Sequence, residues 1–178
     1  MLSYFNHLNF FIFELIYSSW RSNEFLFHFA LFSSHYLTKI IAVILLALAI
    51  FKSRYRILFV KALILTLLTS VISYILDHTL HFPRPFALGL GDNHIDHSNS
   101  SSFPSSHMMV ISTIAFAYLF SSQKNIGWVL LCAAFAIGWS RIYLGVHFPY
   151  DIFGSFIIAL VVNYLVHIKL KKFPQLIG

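Results

Sequence analysis

Apolar runs of about 20 residues recur along this chain, and each is long enough to cross a bilayer core of about 30 Å. The plainest is the stretch 40–51, IIAVILLALAIF, which carries no polar side chain. Five spans are predicted, at about 30–51, 57–79, 106–121, 126–143 and 150–168. Residues 3–19 mix aromatic, polar and apolar side chains, which predicts an amphipathic helix lying at the interface, with a sixth span as the alternative. The same stretch lacks a basic start and holds Glu14, so it does not read as a signal peptide. Composition agrees with a membrane domain: 58% of the 178 residues are hydrophobic and only 10% are charged, against roughly 25% in soluble domains. The expectation is an all-α polytopic membrane bundle, one domain over 1–178, with its chemistry carried by about 57–160. The single cysteine, Cys132, lies in an apolar run. It excludes disulfides and a cysteine-based zinc site, and reads as a small buried hydrophobe.

The net charge of +6 does not mark a nucleic-acid binder, because the cations form no basic stripe. They fall in short connections: Lys52, Arg54 and Arg56 after the first span, Lys124 after the third, and Lys169, Lys171 and Lys172 after the fifth. Five spans put all of these on one side, which the positive-inside rule makes the cytoplasm. The opposite side then receives the loop 81–105, the starts of the third and fifth spans and the end of the fourth.

Three short segments fall on that opposite side: Arg84-Pro85, Pro104-Ser105-Ser106-His107, and Ser140-Arg141 followed by His147 and Asp151. A membrane-embedded chain rarely keeps so many ionisable groups without a use for them. Together they suit phosphoryl transfer. Arginines can fork onto phosphate oxygens, one histidine can attack phosphorus, and a second can protonate the leaving group. Asp151 falls in the first turn of a helix opened by Pro149, four residues after His147, within reach of the imidazole. Ser105 and Ser106 open the third span, where free N–H groups make an anion site. Each segment alone has a plainer reading. Arg141 and Asp151 could form a structural ion pair, Pro-Ser-Ser-His could be an ordinary helix cap, and Arg84 could bind lipid headgroups.

In order and placement the segments resemble the type 2 phosphatidic acid phosphatase superfamily. Its pattern is Lys-x6-Arg-Pro, Pro-Ser-Gly-His and Ser-Arg-x5-His-x3-Asp. SRIYLGVHFPYD matches the third motif at every required position; PSSH departs from the second only at Ser106; Arg84 and Pro85 match the first, but Asp77 stands where the lysine belongs. PRPFALGLG, the His/Asp-rich loop and SSFPSSH are most similar to bacterial undecaprenyl-diphosphatases of the bacitracin-resistance type. The resemblance implies removal of the terminal phosphate from undecaprenyl diphosphate, with neither metal nor other cofactor. It implies His147 as nucleophile, Asp151 as its orienting group, and His107 as proton donor and then water activator. It also implies Arg84, Arg141, Ser105 and Ser106 as phosphate holders. A carboxylate at 77 repels phosphate, so Asp77 is expected to pair with Arg84 or a neighbouring histidine. His78, His81 or Lys39 would then supply the missing positive charge. Phosphatidate, phosphatidylglycerophosphate and transfer to a lipid A acceptor remain open, as does oligomeric state. Two rivals stand beside this: a metal hydrolase using Asp92, His94, Asp96, His97 and His107, and a small transporter with Arg84, Arg141, Asp77 and Asp151 along its path. The near absence of ionisable groups from the inner halves of the spans, Lys61 apart, disfavours transport.

Overall fold

A computed structural model describes residues 2–17, 23–93, 95 and 100–172. Every regular element among them is helical: α1 (Leu2–Tyr17), α2 (Glu24–Phe32), α3 (Thr38–Phe51), α4 (Arg56–Thr79), α5 (Ser106–Leu119), α6 (Lys124–Tyr143) and α7 (Pro149–Leu170). This is the expected all-α bundle, with four helices long and apolar enough to cross a membrane and shorter apolar helices beside them.

The first span starts earlier than the sequence suggests. Asn23 caps α2 by accepting the Leu26 N–H on its side chain, so the helix begins at Glu24. A π-helical turn, Ser33–Leu37, joins α2 to α3 and makes one membrane helix of Glu24–Phe51. Such a turn inserts an extra residue into the helical ladder and turns Ser33 and Ser34 into the bundle.

The expected third span, α5, has only 14 residues, a length of about 21 Å. It survives at that length by being central: from Met108 to Tyr118 only Val110 is not fully buried, with α4, α6 and α7 around it. Gly127 lets α6 approach most closely, since a Cβ there would stand 2.6 Å from the Leu119 nitrogen. Thr113 donates to Thr69 across the α4–α5 contact at 3.0 Å. The outer faces are apolar instead: Val43, Ile64, Val71, Val129 and Phe153 are all exposed, as lipid-facing surface requires. Cys132 belongs to that face, so its expected burial is corrected: it sits on the exposed side of α6.

The helix α1 packs on the end of the bundle that carries the three motifs. Phe10 and Phe13 each meet the Phe148 ring at 5.2 Å, and Asn9 accepts the Tyr150 N–H at 3.0 Å. The connections around residues 52–55 and 120–123 and residues 171–172 after α7 lie at the other end.

Candidate active site

His147 sits in the link between α6 and α7. The α6 helix ends through Leu144 N–H to Ser140 O and Val146 N–H to Arg141 O, with Gly145 in the left-handed region at φ +75°. Any side chain at 145 would be strained there and would also meet Asp92 O at 2.9 Å and the Tyr17 ring at 3.0 Å. The turn delivers His147 into the bundle, 1% exposed. Nδ1 lies 2.8 Å from the Ser102 carbonyl. A carbonyl only accepts, so Nδ1 carries the proton and Nε2 keeps its lone pair. Nε2 faces Arg84 Nη1 at 3.2 Å.

The carboxylate of Asp151 stands one step further back than the sequence suggests. Its Oδ2 is 3.7 Å from His147 Nδ1, beyond hydrogen-bond length. It accepts instead from Ser102 Oγ at 2.5 Å and from Phe148 N–H at 2.8 Å. Asp151 therefore caps the N-terminus of α7 and fixes Ser102, whose carbonyl holds the imidazole. The ring is oriented mainly by a backbone atom, with the carboxylate as its nearby counter-charge.

Arg84 is buried and woven into the same loop. Nε donates to Ser100 O at 3.1 Å, Nη2 to Ser100 Oγ at 3.0 Å and Ser101 O at 2.8 Å, and Nη1 to Val146 O at 3.0 Å. Burial pulls its guanidinium below the ordinary arginine value, with Asp151 and Asp77 opposing. Arg141 is held far more loosely. Nη1 donates to Ser34 Oγ at 2.6 Å, while Nε and Nη2 are buried without a partner. The two guanidiniums lie close enough to repel, a cluster of positive charge that suits an anion.

At the start of α5, Ser105 N–H donates to Ser155 Oγ at 2.8 Å, and Ser105 Oγ is buried with no partner. Ser106 lies 3.4 Å from Ser73 across the α4–α5 contact. It lines a cavity of about 280 Å³ together with Arg84, Ser100 and Asp77. His107 is half-buried on the next position of the same turn. Asp77 lies 3.8 Å from His78 and shares that cavity with Arg84. Lys39 is exposed, with its ammonium 5.9 Å from the Tyr36 ring centre, and His81 is exposed at the loop start. Of the metal candidates, His94, Asp96 and His97 lie outside the described residues, and Asp92 bonds Tyr17 through both its N–H and its carboxylate. No group of three or more metal-binding side chains occurs among the described residues. The sequence reading missed Ser34, which touches Arg141, and Ser100–Ser102, which hold Arg84, His147 and Asp151. The run SNSSSFPSSH was the only available signal for the latter.

Residues 58–174 match the PAP2 superfamily. The chain belongs to this family. It is 34% identical over 161 residues to undecaprenyl-diphosphatase BcrC of Bacillus subtilis (strain 168), covering 89% of this chain and 82% of that one. It is 31% identical over 156 residues to the putative undecaprenyl-diphosphatase YbjG of Escherichia coli (strain K12), covering 87% and 79%. Among solved structures it is similar to Aquifex aeolicus LpxE, with TM-score 0.69 and 30% identity, covering 91% of this chain and 95% of that one. This PAP2 protein is a membrane phosphatase whose relatives include undecaprenyl-diphosphatases.

The buried imidazole has a consequence for stability. Burial first, then Arg141 and Arg84, outweigh Asp151 and lower the His147 value from 6.5 to about 4. The unfolded chain therefore binds a proton near pH 6.5 that the folded chain refuses until near pH 4. Its contribution is full above pH 6.5 and fades as pH falls through that window, on the order of 3 kcal/mol in all. Thermal midpoints in detergent should drop between pH 6.5 and 4, and His147→Gln should flatten that slope. Equal slopes in both proteins would contradict this reading of the site.

Proposed function

We propose that this PAP2 phosphatase removes the terminal phosphate of undecaprenyl diphosphate through a phosphohistidine on His147, at the outer face of a bacterial plasma membrane. The observation that carries the mechanism is the neutral imidazole, its Nδ1–H held by Ser102 O and its Nε2 lone pair turned toward Arg84. The names of the relatives at 34% and 31% identity support the polyprenyl substrate. The grouping of Lys52, Arg54, Arg56, Lys124 and Lys169 at the end away from the site supports the outward orientation.

The terminal phosphate would take the Arg84 Nη1–H now facing His147, freeing the lone pair, while Arg141 and the Ser105–Ser106 turn hold the remaining oxygens. Nε2 bonds to phosphorus as the bridging P–O bond breaks. Undecaprenyl phosphate leaves with a proton from His107. Water then attacks the phosphohistidine, His107 takes the proton, the N–P bond breaks, and inorganic phosphate departs. Ser102 and Asp151 keep the imidazole in place through both steps.

A rapid alkaline quench with substrate labelled in its terminal phosphate tests this. The label should stay on the protein, survive base and be lost in acid, as a phosphoramidate bond requires. It should map to His147 and form equally in excess chelator. A stoichiometric phosphate ester on a serine, or label that forms only with a divalent cation, would contradict the proposal.

A further inference from the structure

Two cavities are lined by neighbouring positions of the 82–84 segment, Phe82 and Pro83 in one and Arg84 in the other, and they differ in chemistry. The one described above is polar, with Arg84, Asp77 and serine hydroxyls in its wall. The other, of about 520 Å³, is walled by Phe10, Phe82, Leu88, Phe103, Phe148 and Tyr150. Three side chains in its lining carry polar atoms, Asn9, Tyr150 and Asp151. The Asn9 carbonyl oxygen is taken by the Tyr150 N–H, and the Asp151 Oδ2 by Ser102 and Phe148. What enters this groove meets mostly ring faces and hydrocarbon.

The groove lies beside the reacting groups: Phe148 follows His147 in the chain, and Asp151, whose carboxylate stands 3.7 Å from His147 Nδ1, lines the groove. Its rim is open and apolar, with Phe82 at 53% and Leu88 at 46% exposure. One wall is α1, fastened by the two aromatic contacts to Phe148, the Asn9–Tyr150 bond and the Tyr17–Asp92 pair. A soluble phosphate would have no use for such a surface. An amphiphile would use both sides of the 82–84 segment, its phosphates on the polar side and its chain on the apolar one.

We infer that this groove holds the first part of the substrate's hydrocarbon chain, and that Phe10 and Leu88 set selectivity for long-chain over short-chain phosphates. The inference rests on the phosphatase reading above. It makes the N-terminal helix part of the substrate site.

The test compares kcat/KM for undecaprenyl diphosphate with that for water-soluble isopentenyl diphosphate, using the full chain in detergent. Losing one apolar contact in a pocket of this kind costs about tenfold. Phe10→Ala and Leu88→Ser should each lower the long-to-short ratio by about tenfold, chiefly by raising KM for the long substrate. Leu88 stands at the rim, so its variant keeps the test sound if loss of the Phe10–Phe148 contact loosens α1. A ratio within twofold of wild type in the folded variants, including an equal fall on both substrates, would overturn the groove assignment. If wild type spares undecaprenyl diphosphate but cleaves phosphatidate, the ratio for long-acyl against short-acyl phosphatidate decides the groove separately from the proposed substrate. Inactivity on every phosphate would overturn both.

Discussion

Replacing His147 with alanine should lower phosphate release by at least about 10⁴-fold, the scale on which loss of a nucleophile acts. The side chain is buried, its Nδ1 engaged by Ser102 and its Nε2 by Arg84, so alanine also leaves a carbonyl and an N–H without their partner. The glutamine variant is the cleaner probe. Its amide can donate to the Ser102 carbonyl, yet it offers no nitrogen lone pair for attack. Both variants should elute as wild type from size exclusion and keep their helical circular dichroism, with glutamine the more stable. Activity within tenfold of wild type in either would remove His147 from the chemistry.

The second large effect runs in opposite directions for activity and stability. Arg141 is 1% exposed, has one hydrogen bond, to Ser34, and keeps Nε and Nη2 unpartnered beside the positive charge of Arg84. A buried charge held so poorly is destabilising until an anion arrives. Arg141→Met should raise the melting temperature of the ligand-free protein, by an amount equivalent to about 1–3 kcal/mol. It should lower kcat/KM by about 10³-fold, as for loss of an arginine that clamps a transferred phosphoryl group. Inorganic phosphate should stabilise the wild type and lose that effect in the variant. Arg141→Lys should not restore activity, since an ammonium lacks the planar donor fork. A variant that is less stable and still active would make Arg141 a structural residue.

The bundle was legible in the sequence because apolar length is a local property. The run 40–51 needs no tertiary context to be read as a helix. What escaped depends on distance along the chain. Ser34 bonds Arg141 across 107 positions through a π-helical turn, and SSHYL carries no local mark of that turn. The Ser102 carbonyl holds His147 from 45 positions away, and a backbone atom has no residue type to betray it. The i to i+4 spacing allows Asp151 against the imidazole, but the Phe148 N–H at the start of α7, which has no intrahelical partner, takes the same oxygen. The burial expected of Cys132 fails because α6 is apolar on both sides, so residue type does not mark its outer face. Asp77 departs from the family pattern, and its charge predicts a histidine or Arg84 beside it. The structure gives it both neighbours, His78 at 3.8 Å and Arg84 across the shared cavity.

The most direct test of the account is phosphate release by the purified protein from undecaprenyl diphosphate, with phosphatidate and phosphatidylglycerophosphate in parallel, all in excess chelator. Release should come mainly from the polyprenyl diphosphate. Preferential release from a glycerolipid would contradict the proposed substrate, and release that needs an added divalent ion would contradict the histidine mechanism.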